Sequence, residues 1–204
     1  MDTMRKHRRA TAGFTLIEML VVIVIIAIVT AYAVPAYKSL ITQYRMSGEL
    51  NDLDTDVALA RSSAIKSGLN VTICPSANPT SAAPTCAIST QWNTGWIIFT
   101  DTSGTSGNQT FSTATGDTLL HTHGPLQMND SLVISATGTS PTAITFNRMG
   151  GTASFGTNAA QDNTGSLILN DATSDSGMIR CLSISVSGNI TVGSPQTNNQ
   201  SICS

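Results

Sequence analysis

Few residues of this 204-residue chain are of types, and at spacings, that could do chemistry. Glu18 is the first. It stands at the edge of an apolar run in which every residue from Met19 to Val29 is apolar. An ionised side chain costs about 2.5–3.5 kcal/mol at the centre of a membrane helix and less near its end, so such a residue marks function and needs a partner. The four cysteines, Cys74, Cys86, Cys181 and Cys203, form no C-x-x-C pair, which argues against a zinc ribbon or a thioredoxin motif. An even count outside the apolar run suits disulfides in an oxidising compartment. Four cysteines allow three connectivities. Cys74–Cys86 with Cys181–Cys203 is preferred, because each pair closes a short polar loop; free buried cysteines are the alternative.

Other groups lead to no chemistry. His121 and His123 would share one face of a strand, but no third ligand is evident, so no metal is expected. Residues 170–177 (NDATSDSG) lack the closing Glu and the spacing of a calcium loop and read as a solvated turn. Serines abound without a nucleophile elbow. The chain is not expected to be an enzyme or to need a cofactor.

The elements that carry these residues differ sharply along the chain. Residues 1–13 hold Arg5, Lys6, Arg8 and Arg9 against Asp2 and end in Gly13. Residues 14–36 are almost wholly apolar and are long enough, at roughly 20 residues, to cross a hydrocarbon core. The basic cluster would keep the N-terminus in the cytoplasm. A secretory signal peptide would place its small residues after the apolar core, whereas Gly13 precedes it. An ordinary anchor would not explain Glu18 or the Gly–Phe junction.

Beyond Pro35 the pattern becomes amphipathic. Leu40, Ile41, Tyr44, Leu50, Leu53, Val57, Ala60 and Ala64 recur at helical spacing, with Gln43, Arg45, Glu49, Asp52, Asp54, Asp56 and Arg61 between them. Lys66 and Gly68 mark the end. A helix over 14–67 would be roughly 80 Å long, and Pro35 should bend or locally melt it.

From residue 69 the period shortens. Strands are predicted at 70–74, 95–100, 132–136, 143–147, 166–169, 179–187 and 189–192, with a tight turn at Ser187-Gly188-Asn189. Only 11% of residues are charged, against roughly 25% in an average globular chain; Ser, Thr, Asn and Gly replace them, as suits an exported, turn-rich β head. The resulting expectation is an α+β chain: a leader over 1–13, a long helix over 14–67 whose part 14–36 is the transmembrane and assembly portion, and a β-rich head over 68–204. From residue 68 onward Arg148 and Arg180 face six aspartates, a sum of −4. Such a head should not attract nucleic acid by charge.

The stretch Gly13-Phe14-Thr15-Leu16-Ile17-Glu18, between a basic leader and an apolar run, resembles the processing motif of type IV prepilins and type II secretion pseudopilins. The resemblance implies cleavage between Gly13 and Phe14 by a membrane aspartic prepilin peptidase, and N-methylation of Phe14. A cut at the membrane face needs a slim residue, and Gly13 has no side chain. Cleavage would also create the partner Glu18 requires: the α-amino group of Phe14 on a neighbouring subunit.

A second resemblance covers most of the rest. Residues 60–68 followed by Val71-Thr72-Ile73-Cys74, the segment 92–101 (WNTGWIIFTD), and residues 144–150 and 184–190 are similar to the GspH/FimT-like (FimU-like) minor pilins. This implies a pilin-like fold and a minor type IV pilin that primes assembly or caps the tip. The alternatives are an H-type minor pseudopilin of type II secretion and a DNA-binding minor pilin for transformation. Partners would be other major and minor pilins or pseudopilins, with the inner membrane as a single-pass anchor and the head in the periplasm. Cystine loops are common among such pilins. DNA binding is not expected, because the hairpin Gly188-Asn189-Ile190-Thr191-Val192-Gly193 lacks the arginines of DNA-binding relatives.

Overall fold

A computed structural model describes residues 13–103, 107–136, 142–155, 164–173 and 177–193, with Phe155 described by its main chain only. The chain forms two compact units, Met1–Ile41 and Thr42–Ser204. One helix, α1 (Leu16–Ser67), contributes to both.

In the first unit every described side chain from Gly13 to Ile41 is exposed. The helix is long and apolar enough to cross a membrane. It passes through Pro35 without interruption, so the local melting expected there is not found. Proline removes a single N–H from a ladder of 52 residues, leaving the Ala31 carbonyl without its usual donor. A second polar group in this stretch is self-sufficient: the Thr30 hydroxyl donates back to the carbonyls of Ile26 (2.8 Å) and Ala27 (3.1 Å).

In the second unit α1 buries Met46, Glu49, Leu50, Leu53, Asp56, Val57, Ala60 and Ala64. The lower part of the expected stripe, Leu40, Ile41 and Tyr44, is exposed, and Met46 takes the first core position. Glu49 and Asp56, expected on the polar face, are buried. Their spacing explains why: 46, 49, 53, 56 and 60 follow one another at three and four residues, so all point the same way. The helix ends as anticipated, at Gly68 (φ +70°), whose N–H donates to Ala64 O at 3.0 Å.

Among the described residues nine strands follow: β1 (Asn70–Pro75), β2 (Trp96–Asp101), β3 (Thr118–His123), β4 (Ser131–Ser135), β5 (Ile144–Phe146), β6 (Thr152–Phe155), β7 (Gly165–Asn170), β8 (Arg180–Ile184) and β9 (Ile190–Gly193). They form two antiparallel sheets, β3-β2-β1-β5-β6 and β4-β7-β8-β9. Sequence periodicity misses β3 and β6. Both are outer strands of the five-stranded sheet. β3 (TLLHTH) is largely exposed, and β6 begins Thr-Ala-Ser, so neither carries a clean alternation. β8 stops at Ile184 instead of continuing to Ser187. The turn starts earlier, closed by Gly188 N–H to Ser185 O (2.7 Å) and Ser185 N–H to Asn189 O (3.0 Å), and leaves Val186 exposed. Gly188 sits at φ +72°, and a Cβ there would lie 1.9 Å from Gly150 O, so no other residue fits.

The period of two divides the five-stranded sheet. Val71, Ile73, Trp96, Ile98, Ile144 and Phe146 join the helix stripe and Leu132, Ile134, Leu167, Leu169, Leu182 and Ile184 in one core. On the opposite face Cys74, Ile97, Phe99 and Ala143 make a second small cluster, covered by Cys86 and Phe111. The disulfide Cys74–Cys86 (Cα–Cα 5.6 Å) ties the loop between β1 and β2 over this face. Cys181 is buried and not free; Cys203, its expected partner, lies outside the described residues.

Cross-linking a loop of this length stabilises by about 3 kcal/mol in the chain-entropy account. Cys86→Ser should therefore lower the melting temperature clearly and leave the variant insensitive to reductant at this bond. Equal melting of wild type and variant would show that the loop holds without its covalent tie.

Candidate processing and assembly site

Gly13, Phe14 and Thr15 precede the helix in extended or irregular backbone. Thr15 is its N-cap: Glu18 N–H donates to Thr15 Oγ1 at 3.3 Å. Thr15-x-x-Glu18 is the sequence form of a capping box, a signal that was legible in the sequence but passed over. The cap places Glu18 in the first helical turn, where a negative charge also suits the helix dipole. Glu18 is exposed and makes no ion pair among the described residues. Phe14 is 79% exposed. A Cβ built at Gly13 meets no described atom within 4 Å, and Gly13 has no positive φ. Nothing in the packing of the described residues requires glycine there.

The head residues expected to be inert prove structural. Trp96 Nε1 donates to Asp56 Oδ2 (2.8 Å), and His121 Nε2 lies 3.3 Å from Asp56 Oδ1. His123 stacks on Trp96 with ring centroids 4.0 Å apart. The two histidines thus share a face with an indole and a carboxylate, which together fasten α1 to β2 and β3. Gly95, between the two tryptophans of the W-x-x-G-W segment, has φ +106°, and a Cβ there would lie 2.3 Å from His123 O. That close approach of β3 explains the glycine.

Polar side chains also hold the loops. Asp101 accepts N–H groups of Ser103, Asn108 and Gln109 and the Thr72 hydroxyl. Asp117 accepts from the N–H and hydroxyl of Thr102, the N–H of Ser112 and the hydroxyl of Thr115. Burial alone would raise the Asp117 pKa; these four donors outweigh it and hold it below the ordinary carboxylate value. Asp171 caps a turn through Thr173. Three arginines, two on α1 and one in the head, serve the fold: Arg45 with Asp130, Arg61 with the carbonyls of Gly150 and Ser187, and Arg180 with those of Gly177 and Ile179.

Comparison with known families follows this geometry. Residues 8–34 match the prokaryotic N-terminal methylation motif, and residues 49–188, more than half of the chain, match the type II transport protein GspH family. The chain belongs to the GspH family. No curated protein sequence matches it significantly. Among solved structures this GspH-family chain is similar to the type IV minor pilin FimU of Pseudomonas aeruginosa (strain PAO1). The P21 crystal form is 16% identical, with 74% of this chain and 89% of that chain covered and a TM-score of 0.49. The P65 form is 19% identical, with 70% and 88% covered and a TM-score of 0.44.

Asp56→Ala should leave the Trp96 N–H unpaired in the core. An orphaned buried donor costs about 1–3 kcal/mol, so the denaturant midpoint should fall accordingly, and Asp56→Asn, which keeps an acceptor, should lose less. Equal midpoints for the two variants would remove the indole bond as the reason for this buried acid.

Proposed function

We propose that this GspH-family protein is a minor type IV pilin, processed at Gly13–Phe14, anchored by residues 14–36 in the inner membrane with its head (68–204) in the periplasm, and then built into a filament that it primes or caps. The observation that carries this reading is the unbroken exposure of apolar side chains from Phe14 to Ile41. Such a surface needs lipid first and like helices afterwards.

The motif residues take roles within this scheme. The leader, residues 1–13, is removed by a prepilin peptidase. Gly13 serves the peptidase, since the packing of the described residues makes no demand for it. The cut leaves an amine on Phe14, the site of N-methylation, and Glu18 of an adjoining subunit neutralises it. An unpaired charge inside a helix bundle is costly, so this pairing sets the axial register. Pro35 marks the part of the helix where one carbonyl is free of its ladder bond, a place for the bundle to adjust. A second reading, an H-type pseudopilin of type II secretion, is favoured by the family's own description as a type II transport protein.

Gly13→Leu should leave an uncleaved, longer precursor on a gel with a folded head; normal processing would place the peptidase's requirement elsewhere. Glu18→Val should be cleaved normally. Removing one partner of a buried ion pair costs about 3–5 kcal/mol, so incorporation into filaments should fall at least about tenfold. Normal incorporation would refute the amine pairing. Deleting the gene and scoring twitching, transformation and exoprotein release side by side separates the two readings: lost secretion with intact piliation selects the pseudopilin.

A further inference from the structure

Met128 and Asn129 are consecutive non-glycine residues at φ +53° and +62°. Backbone in this sparsely populated region persists only where its surroundings over-determine it. Here the surroundings are two side chains of α1, one turn apart. Gln127 N–H donates to Glu49 Oε1 at 2.9 Å. Arg45 grips Asp130 with Nε to Oδ2 at 2.8 Å and Nη2 to Oδ1 at 2.9 Å. Asp130 also accepts Ala172 N–H at 3.2 Å. Leu126, on the other side, packs against the core.

The other oxygen of Glu49 does not fit a simple salt-bridge network. Glu49 and Asp130 are 8% and 1% exposed. Glu49 Oε2 is buried and has no hydrogen-bond partner. The charged groups facing Glu49 are Asp130, from the loop, and Arg45, from its own helix, and Arg45 is engaged by Asp130. As a carboxylate, Oε2 would be an acceptor without a donor beside a second carboxylate. As a carboxylic acid it becomes a donor to Asp130. We propose that Glu49 and Asp130 share a proton that latches the 126–130 loop to α1, and that loss of this proton to solvent weakens the hold of α1 on the loop.

The electrostatics agree with the geometry. Burial pushes the Glu49 pKa up from 4.5 to about 7; the Gln127 N–H opposes this, Asp130 adds to it, and Arg45 lowers it. A pKa raised in the folded state stabilises below the ordinary value, and that contribution is lost as pH rises through about 7. The latch is thus closed in mild acid and weakened above neutrality. Met128, 71% exposed, rides on the loop, so its presentation on the surface follows external pH.

The test uses the full chain in detergent micelles. Infrared titration of glutamate-labelled protein should show a protonated carboxyl band that disappears with a midpoint near 7 and is absent in Glu49→Gln. A midpoint in the ordinary carboxylate range overturns the proposal without reference to any variant. Hydrogen exchange of the Gln127 amide, corrected for intrinsic rate, should lose about tenfold of its protection between about pH 6 and about pH 8. Glu49→Gln keeps an acceptor for Gln127 and a donor for Asp130, so its protection should not change with pH. The same loss in Glu49→Gln, or none in wild type, rejects the latch.

Discussion

The first part of α1 has no partner among the described residues of its own chain. Eighteen large apolar side chains between Phe14 and Ile41 are exposed. At about 1.5–3 kcal/mol for each side chain withdrawn from water, leaving them hydrated forfeits a sum on the order of tens of kcal/mol, more than a domain's whole stability of about 5–15 kcal/mol. The protein is therefore incomplete as a soluble monomer. In the proposed assembly Glu18, at the rim of that surface, follows it into lipid or into a bundle, where its charge would need a partner.

In the head the helix serves two ends. Its apolar stripe is the common wall of the core against both sheets. Four polar residues on it then hold specific loops. Arg45 and Glu49 hold the 126–130 loop, Asp56 holds β2 and β3, and Arg61 holds the turns at Gly150 and Ser187. Apolar contact is non-directional; these hydrogen bonds select which loop meets which helical turn. The disulfide acts on the face turned away from the helix, where it joins the cover to a small second cluster.

Much of this was legible in the residues. The leader, junction, acid and apolar run occur in order, and each is a local property. Gly68 and Lys66 announced the end of the helix. Seven strands were readable: six have an apolar face that lies in a core, and β9, partly exposed, follows from the turn at Gly188. β3 and β6 were not: β3 is an outer strand largely open to solvent, and β6 buries Thr152 and Ser154 instead of an apolar face, so both owe their existence to a neighbour's hydrogen bonds. Cys74–Cys86 belonged to the preferred of three connectivities, and the folded loop forms it.

What the sequence by itself determined is the N-terminal methylation motif and the division between an apolar helix and a turn-rich β head, because both are written in local composition and periodicity. Tertiary structure alone decided the fates of Glu49 and Asp56. Both looked like surface acids. Both lie on the buried stripe, one under a strained loop and one beneath an indole, because partners 40 and 78 residues away in the chain supply the hydrogen bonds that let a carboxyl group leave water.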